Sequence, residues 1–206
     1  MDRNLPTYLK AENEVKISYF TRKRGFDITG VIHVGVNDGY EMPRYVGMGI
    51  ENVIGIDPLP SVHDIHRKLG IPTYQLALGN RTRETKLYIP EDPGGSSLLP
   101  SREALKQILD VVEMPFTSFV AMVNLDLGKF DCLVLDVQGY ELEVLRGMGE
   151  LVRRFRFFNI ECSRDANHLY VGEPAAEEVI AYLDGYGIKQ DTPICEHDDI
   201  MFVRRY

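Results

Sequence analysis

The stretch VIHVGVNDGY, residues 31–40, decides the fold. Apolar and β-branched residues in its first half predict a buried strand, which Gly35 and Gly39 end in a turn. Glycine permits tight turns and allows a ligand to approach the backbone closely. A helix that begins after such a turn directs its first N–H groups at a bound ligand. The stretch therefore predicts a strand, a turn and a helix around a ligand site.

Strands and helices alternate along the rest of the chain. The predicted strands are residues 28–36, 52–57, 72–78, 84–89, 130–136, 156–161, 187–192 and 199–204. The predicted helices are residues 40–48, 60–69, 101–111, 140–155 and 174–186. This alternation is typical of an α/β protein with a largely parallel sheet. We expect the last two strands to close the sheet as a pair.

Composition and charge restrict the class of protein. The 206 residues predict a single domain, with a helical cap over residues 1–25 and a core over residues 27–206. The net charge of −8 argues against a nucleic-acid partner, since phosphate backbones attract clustered Lys and Arg. No apolar run reaches the about 20 residues that a membrane helix needs, so we expect no membrane partner.

The three cysteines, Cys132, Cys162 and Cys195, are odd in number and far apart. This spacing suggests neither a disulfide framework nor a zinc site. Cys132 and Cys162 lie in apolar runs, where buried free thiols are expected. Together with the polar N-terminus, which is unlike a secretory signal, this predicts a reducing, cytoplasmic location.

Ligands of parallel sheets bind at the carboxyl ends of the strands. The second predicted strand ends in Asp57, followed by Pro58. An acid about 20 residues after the first glycine turn can bind ribose hydroxyls, although it can also cap the next helix. The pair fits any nucleoside-bearing cofactor. A dinucleotide site would have a G-x-G-x-x-G turn, which this chain lacks.

Two further strand ends carry acids. Asp136 follows a wholly apolar strand, and Glu161 ends the next one. Asp136 is either a helix cap or a carboxylate that contacts the cofactor or takes part in catalysis. The loop over residues 162–173, which holds His168, is expected to overhang the same crevice. The loop over residues 90–100, PEDPGGSSLLP, is of the kind that often carries function.

These residues resemble the FkbM-type S-adenosylmethionine-dependent methyltransferases. The matching segments are residues 33–39 (HVGVNDG), 57–58 (DP), 77–79 (ALG), 95–98 (GSSL) and 133–147 (LVLDVQGYELEVLRG). The last of these is long and specific. The resemblance runs from about residue 27 to the C-terminus.

The resemblance implies a Rossmann-like class I methyltransferase fold. Its sheet would have seven strands, mostly parallel, with an antiparallel C-terminal strand and helices on both faces. The residues implied in binding S-adenosylmethionine are His33, Gly35, Asn37, Gly39, Asp57, Pro58, Ala77, Leu78 and Asp136. Those implied in binding the substrate are Ser96, Ser97, Gln138, Tyr140 and Tyr170.

Two residues depart from the family pattern. His33 stands where the family usually has an acid that helps to hold the amino-acid end of the cofactor. A neutral histidine can still accept a hydrogen bond. Gln138 stands where the family usually has Glu, so it loses a charge but keeps an acceptor.

The resemblance implies a small-molecule or carbohydrate acceptor. The implied reaction is O-methylation of a hydroxyl of this acceptor, most often on a sugar or glycan. It is an in-line displacement that needs alignment of the reacting atoms and a base for the hydroxyl proton. Asp136 is the first candidate for the base, and His168 is the second. Alternatively, Asp136 and Glu161 share a divalent metal ion that acidifies the hydroxyl.

Other functions stay open at this point. They are methylation of a non-sugar metabolite, a nicotinamide-dependent oxidoreductase, a cofactor-binding module without activity, and a domain of a larger enzyme. The sequence identifies neither the acceptor nor the oligomeric state.

Overall fold

A computed structural model of the chain describes residues 17–194 and 196–204. Residues 1–16, which form most of the predicted N-terminal cap, lie outside the described residues, as does Cys195. The described end of the cap forms one π-helical turn, Tyr19–Lys23. Phe20 of this turn is fully buried and packs against Phe157 in the core.

The described residues form ten strands and five α-helices. The strands are β1 (Gly30–Val34), β2 (Asn52–Asp57), β3 (Thr73–Gln75), β4 (Ala77–Gly79), β5 (Arg83–Pro90), β6 (Leu105–Pro115), β7 (Cys132–Leu135), β8 (Phe157–Ser163), β9 (Ile188–Gln190) and β10 (His197–Arg204). The helices are α1 (Met42–Gly47), α2 (Val62–Leu69), α3 (Phe116–Val123), α4 (Glu141–Met148) and α5 (Ala176–Asp184). A short 3-10 segment, Gly149–Arg154, continues α4.

Seven strands form the main sheet in the order β3-β2-β1-β7-β8-β10-β9. The pairs from β3 through to β8 are parallel, whereas β10 runs antiparallel to both β8 and β9. The predicted mostly parallel seven-stranded sheet with an antiparallel C-terminal strand is confirmed. The strand order reverses between β1 and β7, which creates a crevice at their carboxyl ends.

Alternate residues of the central strands enter two separate hydrophobic cores. Ile32 and Val34 of β1 pack with α3, α4 and α5, whereas Val31 packs with α1 and α2. Helices therefore cover both faces, as predicted. The central strands are mostly apolar because neither face meets water. Cys132 and Cys162 are buried free thiols, also as predicted.

The predicted helix over residues 101–111 is wrong, because this segment contributes to the long strand β6. Leu105, Ile108, Leu109 and Val112 have helical spacing, but β6 pairs antiparallel with β5 from Leu105 to Glu113. That ladder satisfies its backbone, and Leu109 packs against a small cluster beneath the sheet. The helix in this region, α3, begins later, at Phe116.

The predicted strand over residues 72–78 is likewise wrong as one element. It divides into β3, which extends the main sheet, and β4, which joins β6 and β5 in a second sheet of three strands. Leu76 separates the two, and its N–H donates to the Asp57 carbonyl oxygen. The chain therefore leaves the main sheet beside the predicted ligand site.

A close contact at a glycine packs helix α4 on the second sheet. A Cβ atom at Gly147 in α4 would lie 1.8 Å from the carbonyl oxygen of Gly79 in β4. The contact is with backbone, which cannot move aside as a flexible side chain can. Helix α4 lies this close to β4 because Gly147 lacks a side chain.

We expect Gly147→Ala to lower the free energy of unfolding by about 3 kcal/mol or more, since the added methyl must separate α4 from β4. Urea denaturation measures the change. The control is Gly70→Ala, where φ is 68° and nothing lies within 4 Å of the added atom. There we expect only the cost of a left-handed backbone, about 1–2 kcal/mol. Equal losses in the two variants would contradict the tight contact.

Candidate active site

The glycine turn after β1 packs directly on the end of β7. A Cβ atom at Gly35 would lie 1.7 Å from the Asp136 carbonyl oxygen, and one at Gly39 would lie 2.5 Å from the Ile65 side chain. Both glycines have positive φ angles, 89° and 75°. No other residue type fits at either place, and the turn therefore forms the floor of the crevice at the strand ends.

Asp57 holds this turn in place from the end of β2. Its two carboxylate oxygens accept hydrogen bonds from the backbone N–H groups of Asn37 and Leu59, each at 2.8 Å. The side chain is only 5 % exposed, and burial raises its pKa to about 6 although the two hydrogen bonds oppose the shift. Each oxygen keeps a second lone pair for a ligand.

Two cavities meet at Gly35. The first, which we call the acidic cavity, measures about 320 Å³ and has carboxylates in its lining. The second, the apolar slot, lies beside Pro58 and is walled by leucine, alanine and valine side chains. The residues predicted to bind cofactor that line the acidic cavity are His33, Gly35, Asn37 and Asp136, and those that line the slot are Gly35, Pro58, Ala77 and Leu78.

Gln138 joins four parts of the crevice. Its side-chain nitrogen donates to Asp136 Oδ1 at 2.7 Å and also to Glu161. Its side-chain oxygen accepts from the Tyr170 hydroxyl at 2.7 Å, and its backbone oxygen accepts from Ser97 at 2.7 Å. Its φ of 54° is unusual for a residue other than glycine. A glutamate at this position would lack the two N–H donors that bridge Asp136 and Glu161.

The other predicted substrate-binding side chains make hydrogen bonds within the protein. Ser97 and Tyr170 are 1 % and 4 % exposed. The Tyr140 hydroxyl donates to Glu113 at 3.1 Å, and the Ser96 hydroxyl donates to the Pro93 carbonyl oxygen at 2.7 Å. These residues shape the walls of the crevice, and their contact with a substrate stays a prediction.

His197, on β10, also enters this region. The antiparallel pairing places it opposite Ser163 at the end of β8, with its Nδ1 atom 2.7 Å from the Ser163 hydroxyl. That hydroxyl donates to Glu173, which is buried and accepts two backbone N–H groups through its other oxygen. Since the serine proton goes to Glu173, the Ser163 oxygen accepts the proton of His197 Nδ1, and the lone pair of a neutral His197 is on Nε2.

The Nε2 atom of His197 lies 3.6 Å from Glu161 Oε1 at the edge of the crevice. The two side chains are 24 % and 16 % exposed, so both are partly accessible to solvent. His168 is exposed on its loop, and its ring stacks on that of His197 with 6.3 Å between the centroids. Glu161 thus lies between Gln138 and His197. Residue order along the chain gave no signal for His197, because only the pairing of β10 with β8 brings it here.

The predicted metal ligands Asp136 and Glu161 share the amide nitrogen of Gln138. Within residues 17–194 and 196–204, no cluster of three or more His, Cys, Asp or Glu side chains is arranged to hold a metal ion. A metal ion at this pair would have to displace the amide or share its carboxylates.

Glu141, at the start of α4, supports the loop that carries Gln138. It is 2 % exposed, and its Oε1 atom accepts from the N–H groups of Val137 at 3.0 Å and Gly139 at 3.2 Å. Burial raises its pKa to about 8, against the effect of these hydrogen bonds. Glu141 was not among the predicted site residues, although an acid in the first turn of a helix commonly marks the start of that helix.

Sequence comparison identifies the family. The Methyltransferase FkbM domain matches residues 33–189, and the chain belongs to that family. This confirms the resemblance and the enzyme class drawn from the sequence, an S-adenosylmethionine-dependent methyltransferase. No curated protein matches the chain.

Solved structures similar to the chain include three methyltransferases. One is 1,6-didemethyltoxoflavin-N1-methyltransferase from Burkholderia thailandensis with bound 1,6-didemethyltoxoflavin and S-adenosylhomocysteine (13% identity, 92% of this chain and 76% of that chain, TM-score 0.47). The second is an S-adenosylmethionine-dependent methyltransferase from Aquifex aeolicus (15%, 98% and 98%, 0.45). The third is the sugar N-methyltransferase KedS8 from Streptoalloteichus sp. (14%, 100% and 99%, 0.47).

One more prediction from the sequence concerns membranes. None of the helices in the described part of the chain has the length and apolar character needed to cross a bilayer.

The buried Glu141 makes stability depend on pH. Its folded-state pKa lies above the unfolded value of 4.5, so the native protein retains a proton that the unfolded chain releases. Stability from this source is present at low pH and is lost as the pH rises toward about 8. We expect Glu141→Gln to gain on the order of 4 kcal/mol relative to the wild type between these pH values.

Chemical denaturation from pH 4.5 to 8 measures this difference, and Asp57 contributes equally to both proteins. The control is Glu177→Gln, an exposed position on α5. Parallel stability curves for Glu141→Gln and the wild type would show that Glu141 is ionised in the folded protein throughout.

Proposed function

We propose that this chain transfers the methyl group of S-adenosylmethionine to a hydroxyl oxygen of a carbohydrate acceptor. The observation that carries the proposal is the hydrogen-bonded series Glu173–Ser163–His197, which leaves a basic nitrogen next to Glu161 at the edge of the crevice. A hydroxyl acceptor needs such a base, since its oxygen is a poor nucleophile until its proton is removed.

The residues of the crevice fit S-adenosylmethionine. The acidic cavity suits a ligand that carries an ammonium and a sulfonium, because the carboxylates of Asp38, Glu41 and Asp136 line it. The apolar slot beside Pro58 has the apolar lining that suits an aromatic ring. It measures only about 30 Å³, so entry of a ring requires its walls to move apart. Asp57 has lone pairs for ribose hydroxyls between the two.

When bound, the cofactor supplies an electrophilic methyl group on a good, neutral leaving group. The side chains of this protein then have three tasks. His197 Nε2 accepts the hydroxyl proton, and the nearby Glu161 carboxylate stabilises the imidazolium that forms. Asp136, held by Gln138, orients the hydroxyl. The walls of the crevice keep the reacting atoms aligned.

This assignment replaces the order of candidates that the sequence suggested. Asp136 was first, but one of its oxygens is occupied by the Gln138 amide. His168 was second, and it lies behind the ring of His197 on an exposed loop. For the same reason we do not favour a metal ion between Asp136 and Glu161, whose carboxylates the Gln138 amide already bridges.

The acceptor class rests on a cleft of about 530 Å³ that adjoins the crevice at Gly139 and Tyr140. Its walls present guanidinium, amide and carboxylate groups beside apolar surface. The polar residues of this lining include Arg81, Arg83, Asn167, Glu143, Arg146 and Glu178. Sugars offer many hydroxyls that both donate and accept, and this mixture matches them better than it matches an apolar metabolite. We place the reaction in the reducing cytoplasm, since Cys132 and Cys162 are free thiols.

We expect Asp57→Ala to weaken the binding of S-adenosylhomocysteine by at least tenfold, since charge-assisted hydrogen bonds to ribose are lost. Isothermal titration calorimetry measures the affinity. The matched control is Asp64→Ala, an exposed acid on α2 whose side chain is 53% accessible. Unchanged affinity in a folded Asp57→Ala protein would rule out a ribose contact.

We expect His197→Asn to lower the rate of methyl transfer by about 10²–10⁴-fold without changing the affinity for S-adenosylhomocysteine. The assay follows labelled methyl from S-adenosylmethionine into a panel of free sugars and methyl glycosides. The label should form an alkali-stable ether.

The control for His197→Asn is His63→Asn, an exposed histidine on α2. Asp136→Asn, measured in parallel, separates the two candidate bases. Full activity of His197→Asn together with an inactive Asp136→Asn would return the role of base to Asp136. Label found only on amines would contradict the hydroxyl acceptor.

A further inference from the structure

We propose that Glu41 binds the α-ammonium group at the methionine end of the cofactor. The inference rests on the proposed function only in taking S-adenosylmethionine as the cofactor. It assigns a binding role to a residue that was not among the predicted site residues.

Three side chains form one wall of the acidic cavity. His33 lies on β1 and is 3 % exposed, and its Nδ1 atom is 3.0 Å from the hydroxyl of Tyr45. The same hydroxyl lies 3.3 Å from Glu41 Oε2, and that oxygen is 3.8 Å from His33 Nδ1. Glu41 precedes Tyr45 by four residues, which places the two side chains on one face of α1. The carboxylate therefore lies where the strand residue at position 33 meets the cavity.

The charges of this wall point to Glu41. Burial raises the pKa of Tyr45 well above its ordinary value, so its hydroxyl stays neutral and acts as a donor. Glu41 is then the carboxylate of the cluster, and its side chain is 16 % exposed toward the cavity. A cationic ligand group that enters here gains an ion pair in a partly buried place, where the attraction is stronger than in water.

Two other carboxylates line the acidic cavity and are weaker candidates. Asp38 is exposed in the glycine turn, and its Oδ1 atom accepts from the Tyr40 N–H at 3.0 Å. Asp136 is held by Gln138 at the end of β7, next to Glu161 and the proposed base. Glu41, by contrast, is partly buried and lies 3.8 Å from His33 Nδ1 in the wall of the cavity.

The test compares two ligands that differ at the methionine end. S-Adenosylhomocysteine carries the α-ammonium, whereas 5′-methylthioadenosine has the same nucleoside and thioether without the amino acid. We expect Glu41→Gln to weaken S-adenosylhomocysteine binding by tenfold or more, as for loss of a charge-assisted hydrogen bond. We expect the affinity for 5′-methylthioadenosine to change by less than about twofold, within the range of a surface substitution. Calorimetry on the full chain measures both.

Asp64→Asn is the control, since it removes an exposed carboxylate of α2 that lies outside the acidic cavity. It should keep the affinity for both ligands close to that of the wild type. Asp38→Asn tests the rival carboxylate of the same cavity. A selective loss of S-adenosylhomocysteine binding in Asp38→Asn, with Glu41→Gln unaffected, would overturn the assignment. Equal losses of both ligands in Glu41→Gln would also overturn it, because the effect would then not concern the ammonium.

The two proposals fail in different ways. If the wild-type chain binds neither ligand, the cofactor named in the proposed function is wrong. If the wild type binds S-adenosylhomocysteine more tightly than 5′-methylthioadenosine and Glu41→Gln keeps that preference, only the role of Glu41 is wrong. Loss of the preference in Glu41→Gln supports the proposal.

Discussion

The hydrogen bonds of the Gln138 amide are the interaction on which the crevice depends. The ends of β7 and β8 bring Asp136 and Glu161 together, and two carboxylates at that distance repel each other. One side-chain nitrogen donates to both, and the oxygen of the same amide accepts from Tyr170. Two loops are thereby fastened to two strand ends. To make these contacts, Gln138 adopts a positive φ angle, which is a strained backbone conformation for a residue other than glycine.

Acidic groups recur around this amide at different depths. Asp57 and Glu141 are buried with raised pKa values, and each accepts two backbone N–H groups from the loops at the strand ends. Burial of these carboxylates costs stability, and the hydrogen bonds offset that cost only in part. In return the loops acquire defined positions. Such a local conflict between stability and charge is expected at functional sites rather than elsewhere in a fold.

His33 and Gln138 have local contacts that composition alone does not show. The side-chain amide of Gln138 supplies donors to a pair of acids. The buried His33 is hydrogen-bonded to Tyr45, and the carboxylate of Glu41 lies beside it. Both residues thus join segments that lie apart in the chain.

The sequence by itself determined the elements that depend on neighbouring residues. Local patterns predict the strand and turn that begin at residue 31, the helix that follows them, the acid at the end of β2 and the apolar strand before Asp136. The order of these elements along the chain indicates the sheet. Tertiary structure alone decided that β6 is a strand, since its helical spacing yields to a ladder with β5. It also decided that His197 enters the crevice and that Gln138 bridges two acids. These features depend on pairing and packing between segments far apart in the chain, for which a single sequence has no local signal.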